Sequence, residues 1–121
     1  MTREIKFRGK DFLGRWHYGY LHRATGSSSL MIQVDSFDSF GVLPETVGQF
    51  TGLLDKNGKE IYEGDILQEI GSGKTVFVVY EAPQFCYADN SFGYKFLNLP
   101  ENYTVIGNIH DNPELLKGGA E

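Results

Sequence analysis

The sequence has 121 residues, 40% of them hydrophobic and 22% charged, with a formal net charge of −5. These values are typical of one globular domain that can bury a core without disulfides or a bound metal. The acidic balance argues against nonspecific coating of nucleic acid, and no apolar run approaches the length of a membrane span.

Residue usage favours strands over helices. The chain contains 15 Gly, 9 Phe, 7 Tyr and 1 Trp, and aromatic residues fit the half-buried surface of a sheet. We therefore predict a mainly β fold, α+β at the margin, built as one small barrel-like multi-stranded domain over residues 1–121. The single cysteine, Cys86, cannot form an internal disulfide, and the first residues lack an apolar leader. Both features predict a cytoplasmic protein.

The first half of the chain alternates short apolar segments with turn residues. Asp11–Gly14 and 25–29 are predicted turns, and an Asp/Ser/Phe-rich connection covers 35–41. The predicted strands are Ile5–Arg8, Trp16–His22, Leu30–Val34 and Thr46–Phe50.

The second half begins with Asn57-Gly58, which predicts a type I′ hairpin turn because both residues tolerate positive φ. Gly71–Gly73 predicts a further hairpin turn. Asn112 and Pro113 predict the start of a short C-terminal helix, and residues 118–121 are predicted to be disordered. The predicted strands are Ile66–Ile70, Val76–Tyr80, Phe85–Ala88, Tyr94–Leu97 and Thr104–Ile109.

Charge is divided unevenly along the chain. Residues 1–23 hold six basic and two acidic side chains, a net of +4, whereas the remainder holds five basic and 14 acidic side chains, a net of −9. This division predicts electrostatic self-complementarity, within one protomer or between protomers.

The basic segment also carries the candidate interaction surface. Aromatic residues alternate along the predicted strand Trp16–His22, with an arginine near each end. One interpretation is that the aromatic side chains face inward and form part of the core. The alternative is a platform on which single-stranded nucleic acid stacks. The candidate residues are Arg15, Trp16, Tyr18, Tyr20 and Arg23.

Several motifs resemble catalytic or ligand-binding sites and do not fit them. Gly71–Thr75 lacks the first glycine of a phosphate-binding loop and precedes a strand. Asp55 starts a segment that resembles a calcium loop, but Ile66 stands where the bidentate glutamate belongs. An odd separation places His17 and His22 on opposite faces of a strand. We therefore predict no enzyme activity, no catalytic or metal-ligating residues and no cofactor.

Three segments of the sequence resemble the YopX family, small proteins that bacteriophages and prophages encode. The longest of these segments is the central run Thr46–Ile66. The other two, Arg3–Arg8 and Val105–Leu115, also match the pattern of the family. The resemblance implies a mainly β fold with a barrel-like portion, a bacterial cytoplasmic setting and self-association. It implies no reaction and no catalytic residues.

The functional expectation is therefore an accessory protein of phage or prophage origin. It would act through protein–protein contacts, as a homo-oligomer or with a host or phage protein, and without a membrane. The alternative is a nucleic-acid-binding module that uses the basic, aromatic N-terminal strands.

Overall fold

The structure is a computed structural model that describes residues 5–26, 29–81, 84–88, 94–96 and 102–116, with the backbone alone at 81, 84–88 and 94–96. Strands dominate it. The strands are β1 Phe7–Lys10, β2 Trp16–Arg23, β3 Leu30–Gln33, β4 Ser39–Gly41, β5 Gly48–Leu54, β6 Glu60–Tyr62, β7 Asp65–Glu69, β8 Thr75–Glu81, β9 Gln84–Ala88, β10 Tyr94–Phe96 and β11 Tyr103–Asn108. Two 3₁₀ turns, Pro44–Thr46 and Pro113–Leu116, complete the described elements.

The strands form two antiparallel sheets, in the orders β4-β3-β2-β1-β5-β6 and β10-β9-β8-β7-β11. The chain divides into two compact units, Met1–Phe50 and Thr51–Glu121, and β5 passes from the first into the second. The expectation of one domain stays a prediction.

The mainly β prediction is confirmed, but the barrel-like closure is wrong. Each sheet order begins and ends on different strands, and the described residues contain no pairing between those end strands. Closure needs hydrogen bonds between the first and last strands of a sheet, and in the described residues neither β4 with β6 nor β10 with β11 forms them.

The predicted C-terminal helix is also wrong in type. Pro113–Leu116 forms a 3₁₀ turn of four residues, too short to offset the cost of starting an α-helix. Asn112 does not cap a helix with its side chain. Its Oδ1 accepts a hydrogen bond from the Asn108 N–H at 3.2 Å, so the residue ties the turn to the end of β11.

The core of the N-terminal unit lies on one face of β1–β4. Ile32 is fully buried and Val42 nearly so. Gly9 stands opposite Val42, so close that an added Cβ would lie 2.8 Å from the valine Cβ. In the C-terminal unit, the buried cluster contains Ile61, Leu67, Val76, Val78 and Tyr103.

The hairpin at Asn57-Gly58 forms as predicted, with a different turn. Gly58 has a φ of 82°, while every described non-glycine residue, Asn57 included, has a negative φ. The Gly58 N–H donates to the Asp55 carbonyl at 3.0 Å. This is a type I turn followed by a left-handed glycine, and the Asp55 side chain selects it by accepting the Asn57 N–H at 2.8 Å.

Gly71–Gly73 forms the predicted hairpin turn between β7 and β8, with both glycines at positive φ. The predicted turn at 25–29 and the strand Tyr94–Leu97 fall partly outside the described residues. Residues 118–121 and the side chain of Cys86 lie wholly outside them.

Candidate interaction surface on the N-terminal sheet

Basic and aromatic side chains form two adjacent rows on one face of the sheet. In the antiparallel pairing of β1 with β2, Lys10 lies opposite Trp16 and Arg8 lies opposite Tyr18. Residues directly opposite each other share a face, so the basic row belongs to β1 and the aromatic row to β2. The rows are Lys6, Arg8 and Lys10 beside Trp16, Tyr18 and Tyr20.

Cation–π contacts tie the two rows together. The Arg8 guanidinium carbon lies 4.9 Å from the centre of the Trp16 ring, and Lys10 Nζ lies 5.8 Å from the same ring. Lys6 Nζ lies 5.4 Å from the centre of the Phe50 ring. Arg8 is 6% exposed, so its charge lies beneath the surface and strengthens the local positive potential without projecting into solvent.

The interpretation that the aromatic row faces the core is wrong for two of its three members. Tyr18 is 48% exposed and Tyr20 is 67% exposed, while Trp16 is half-buried. The alternate residues of β2, which include His17 and Gly19, face inward. An added Cβ on Gly19 would lie 2.0 Å from the Gln33 carbonyl oxygen, so this inward position admits only glycine.

His17 faces inward because Asp11 and Phe40 hold it. Its ring stacks on the Phe40 ring with centroids 3.9 Å apart and planes 9° from parallel. Its Nε2 lies 2.8 Å from Asp11 Oδ2. His22 points the other way, with Nε2 3.3 Å from Ser39 Oγ, which confirms that the two histidines do not converge.

The Asp11 side chain accepts several hydrogen bonds in the β1–β2 turn. Oδ1 accepts the N–H groups of Leu13 and Arg15, both at 2.9 Å, and Oδ2 accepts Arg15 Nε at 2.9 Å. The hydrogen bond from His17, and after it those from Arg15 and Leu13, hold the pKa of the Asp11 carboxyl well below its ordinary value of 3.8, against the opposing effect of burial. The carboxylate organises the β1–β2 turn and the inward face of β2.

Asp55 organises the turn of the β5–β6 hairpin in the same way. Asp11–Arg15 and Asp55–Lys59 share the pattern Asp-x-x-Gly followed by a basic residue, with matching turn bonds. Burial raises the pKa of the Asp55 carboxyl, and N–H donors from Val105, Lys59 and Asn57 outweigh it, so that this pKa lies below 3.8. The segment that resembles a calcium loop is thus a carboxylate-capped hairpin.

The two predicted arginines lie apart from the aromatic row. Arg15 pairs with Asp11 at the turn, with its side chain 62% exposed. Arg23 ends β2 and lies opposite Leu30 of β3. The five candidate residues therefore divide between the aromatic row and the two ends of β2.

An apolar pocket of about 350 Å³ opens beside Leu30. It lies within the N-terminal unit, where Val42 donates its N–H to the Leu30 carbonyl at 3.1 Å. The lining residues are Phe12, Ser29, Leu30, Gly41, Val42, Leu43 and Pro44.

A family comparison decides what kind of protein carries this surface. The family described as "YopX protein" matches residues 7–117. The chain belongs to the YopX family. No curated protein matches the sequence.

The YopX fold is shared with a solved structure, the crystal structure of protein EF1440 from Enterococcus faecalis. The two sequences are 26% identical, and the match covers 95% of this chain and 99% of that one with a TM-score of 0.63. The likeness extends across both units and assigns no chemistry to either.

The sequence analysis of this YopX chain predicted neither the bonding role of Asp11 nor the exposure of Phe37, and it did not predict the pocket. The repeated Asp-x-x-Gly-basic pattern is the signal that could have found Asp11. No local signal marks the pocket, because it depends on residues from three separate segments. In the described residues no group of three or more His, Cys, Asp or Glu side chains could hold a metal ion, and no described helix is long and apolar enough to cross a membrane.

Proposed function

We propose that this YopX-family protein is a phage- or prophage-encoded accessory protein of the bacterial cytoplasm that acts through protein–protein contacts and self-assembly, without catalysis. One observation carries the proposal. The N-terminal unit presents large apolar side chains on hydrogen-bonded turns, with Phe37 94%, Phe12 81% and Leu13 66% exposed.

The hydrogen bonds within these turns are the reason why we interpret the exposed side chains as an interaction site. Single exposed apolar residues are ordinary, but large ones presented on hydrogen-bonded turns of one small unit are candidate anchors for a partner. The Asp11 carboxylate holds the turn that presents Phe12 and Leu13. The hydrogen bonds of Asp11 therefore hold the backbone that presents these two side chains.

The bonding of Asp11 supports a structural role for this carboxylate. A general base needs a free lone pair directed at its substrate. The two oxygens of Asp11 together accept hydrogen bonds from Leu13, Arg15 and His17. We interpret this carboxylate as a structural group.

Size-exclusion chromatography with light scattering on the full chain tests self-assembly. We expect a mass that is a multiple of 13.6 kDa. A mass of one chain across the accessible concentration range would contradict self-assembly, and a pull-down from the host would then test for a different protein partner.

A second candidate function, binding of single-stranded nucleic acid, is favoured by the cross-strand rows of basic and aromatic residues. Bases stack on exposed aromatic rings with about 1–3 kcal/mol per base, and phosphates are attracted to adjacent cations. Tyr18 and Tyr20 are exposed, Tyr18 lies opposite Arg8, and Lys10 lies opposite Trp16 of the same row.

Fluorescence anisotropy with a labelled single-stranded oligonucleotide tests this candidate. We expect affinity to fall steeply with salt, and the double variant Tyr18→Ala/Tyr20→Ala to bind at least about tenfold more weakly. Arg15→Ala/Arg23→Ala should lower affinity by removing charge. Tyr80→Ala, which removes a 46% exposed tyrosine of the C-terminal unit, is the matched control. No binding even at low salt would exclude this function.

A further inference from the structure

Phe37 is a projecting aromatic side chain on a rigid turn. The turn closes with Val34 N–H donating to the Asp38 carbonyl at 2.9 Å. Asp35 Oδ1 accepts the N–H groups of Phe37 at 2.8 Å and Asp38 at 2.9 Å. The ring is 94% exposed. These hydrogen bonds fix the backbone that presents the ring, so that little backbone freedom is lost when a partner covers it.

The apolar pocket lies at the other end of the same hairpin. Strands β3 and β4 form this hairpin, with Phe37 in its tip and Leu30 and Val42 at its base. From Leu30 to Val34 the strand rises about 13 Å, at about 3.3 Å per residue. The ring of Phe37 therefore cannot reach the pocket of its own chain.

The pocket has the size and lining to accept an aromatic ring. Its volume is about 350 Å³, whereas a cavity of about 150 Å³ lined by apolar side chains is enough to bind benzene. Aromatic side chains seated in apolar pockets are the usual anchors of protein interfaces. The ring contacts would come from Phe12, Leu30, Leu43 and Pro44.

Charge around the two features is complementary. Phe37 lies between Asp35 and Asp38, both exposed. The segments that supply the pocket carry Arg15, three residues after Phe12, and Arg23, opposite Leu30. Glu45, exposed after Pro44, is an acidic side chain on this side. Arg15 is paired with Asp11, so the basic group that Asp35 and Asp38 of another copy would meet beside Leu30 is the exposed Arg23.

We propose that Phe37 of one copy inserts into the pocket of a second copy, so that the protein assembles head to tail. The inference rests on the self-assembly proposed above and names the surfaces that produce it. Because the tip and the pocket are different surfaces, the contact is heterologous, and repetition of it gives a closed ring or a filament.

Two single variants and their mixture test the contact. Phe37→Ser removes the ring and leaves the pocket intact. Leu43→Asp changes a residue that is 36% exposed, places a carboxylate in the pocket and leaves the ring intact. We expect each variant alone to have the mass of one chain by light scattering. Mixed in equal amounts, they should form a dimer, because the Leu43→Asp chain still offers a ring to the intact pocket of the Phe37→Ser chain.

Controls separate loss of assembly from loss of folding. Leu54→Ser removes a 50% exposed apolar side chain of the C-terminal unit and should keep the wild-type mass. Circular dichroism of each variant should match that of the wild type, and thermal unfolding shows whether Leu43→Asp, at a residue that is 36% exposed, stays folded at the temperature of the assembly measurement.

The outcomes distinguish the inference from the function on which it rests. A wild-type oligomer that persists in either variant overturns the Phe37 contact and leaves self-assembly standing. Two monomeric variants whose mixture stays monomeric, at the concentration at which wild type assembles, also overturn it. A wild-type protein that is monomeric throughout overturns both proposals.

Discussion

Asp11 and Asp55 show how one carboxylate can specify a hairpin. Each accepts two backbone N–H groups of its own turn through Oδ1 and uses Oδ2 for a group farther along the chain. For Asp11 that group is His17, which positions the inward face of β2. For Asp55 it is the N–H of Val105, 50 residues away. Turn formation and tertiary contact are thus joined in a single side chain.

These carboxylates predict a loss of stability in acid. Both have a pKa below 3.8 in the folded protein, so their stabilising effect is present above that pH and is lost as the pH falls below it. We expect the urea midpoint to fall between about pH 5 and about pH 2. The gap between wild type and Asp11→Asn should narrow over the same interval. A gap that stays constant would show that the charge of Asp11 does not stabilise the fold.

Gly19 predicts a severe effect from one added methyl group. In Gly19→Ala the new Cβ would lie 2.0 Å from the backbone carbonyl of Gln33, which forces β2 and β3 apart. We expect a loss of about 3 kcal/mol in the free energy of unfolding, at the upper end of overpacking effects. Urea denaturation followed by circular dichroism measures it.

Gly41→Ala is the matched control for Gly19→Ala. Gly41 also lies in a strand of the N-terminal sheet, but its added Cβ would meet only Met31 Sδ at 3.8 Å, an ordinary contact. We expect a change within about 0.5 kcal/mol. Equal losses in the two variants would mean that strand propensity, and not the close approach to Gln33, governs Gly19.

At the scale of elements, the hairpins follow from their turn residues more closely than from their strand residues. The turns at 11–14, 57–58 and 71–73 all lie where the sequence predicts them. Strand ends differ from the predicted ones by at most four residues, and β4 and β6 appear where no strand was predicted. These two strands have three residues each, so their pairing depends on the neighbouring strand and not on their own pattern.

The β5–β6 turn gives a test of its conformation. Gly58→Ala should cost about 1 kcal/mol, because alanine is strained at a φ of 82° although nothing lies within 4 Å of the new Cβ. Asn57→Ala should cost less than about 0.5 kcal/mol, because Asn57 has negative φ. Thermal or urea unfolding of both variants measures the two losses of stability and so distinguishes the two turn types. A similar cost at both positions would indicate the type I′ turn.

At the scale of the whole molecule, the uneven division of charge along the chain would attract one copy to another in the proposed assembly. Arg23, beside Leu30 of the pocket, belongs to the basic segment 1–23, and the acidic tip of the β3–β4 hairpin belongs to the remainder with its net −9. Steering by these charges weakens with salt, since the screening length falls from about 10 Å at 0.1 M to about 3 Å at 1 M.

We therefore expect sodium chloride to reduce the assembled fraction without abolishing it, because insertion of the Phe37 ring is apolar. Sedimentation velocity at low and high salt measures the fraction. An assembled fraction that does not respond to salt would remove the charges from the contact and leave the ring as its basis.

Much about this protein follows from the sequence alone. Composition predicts a mainly β fold, and Asp, Asn and Gly mark the hairpins, because turn preferences act over four or five residues and need no tertiary context. The YopX resemblance, which the match over residues 7–117 confirms, likewise depends on a linear pattern.

Only the tertiary structure decides which side of β2 faces solvent. An alternating strand has two equivalent registers by pattern, and Trp16, Tyr18 and Tyr20 form the more apolar of the two sets. The close approach of Gln33 to Gly19 and the Asp11–His17–Phe40 contacts select the other set for the interior. Sheet closure and the pocket beside Leu30 likewise depend on residues that are distant in sequence, and no local pattern encodes such contacts.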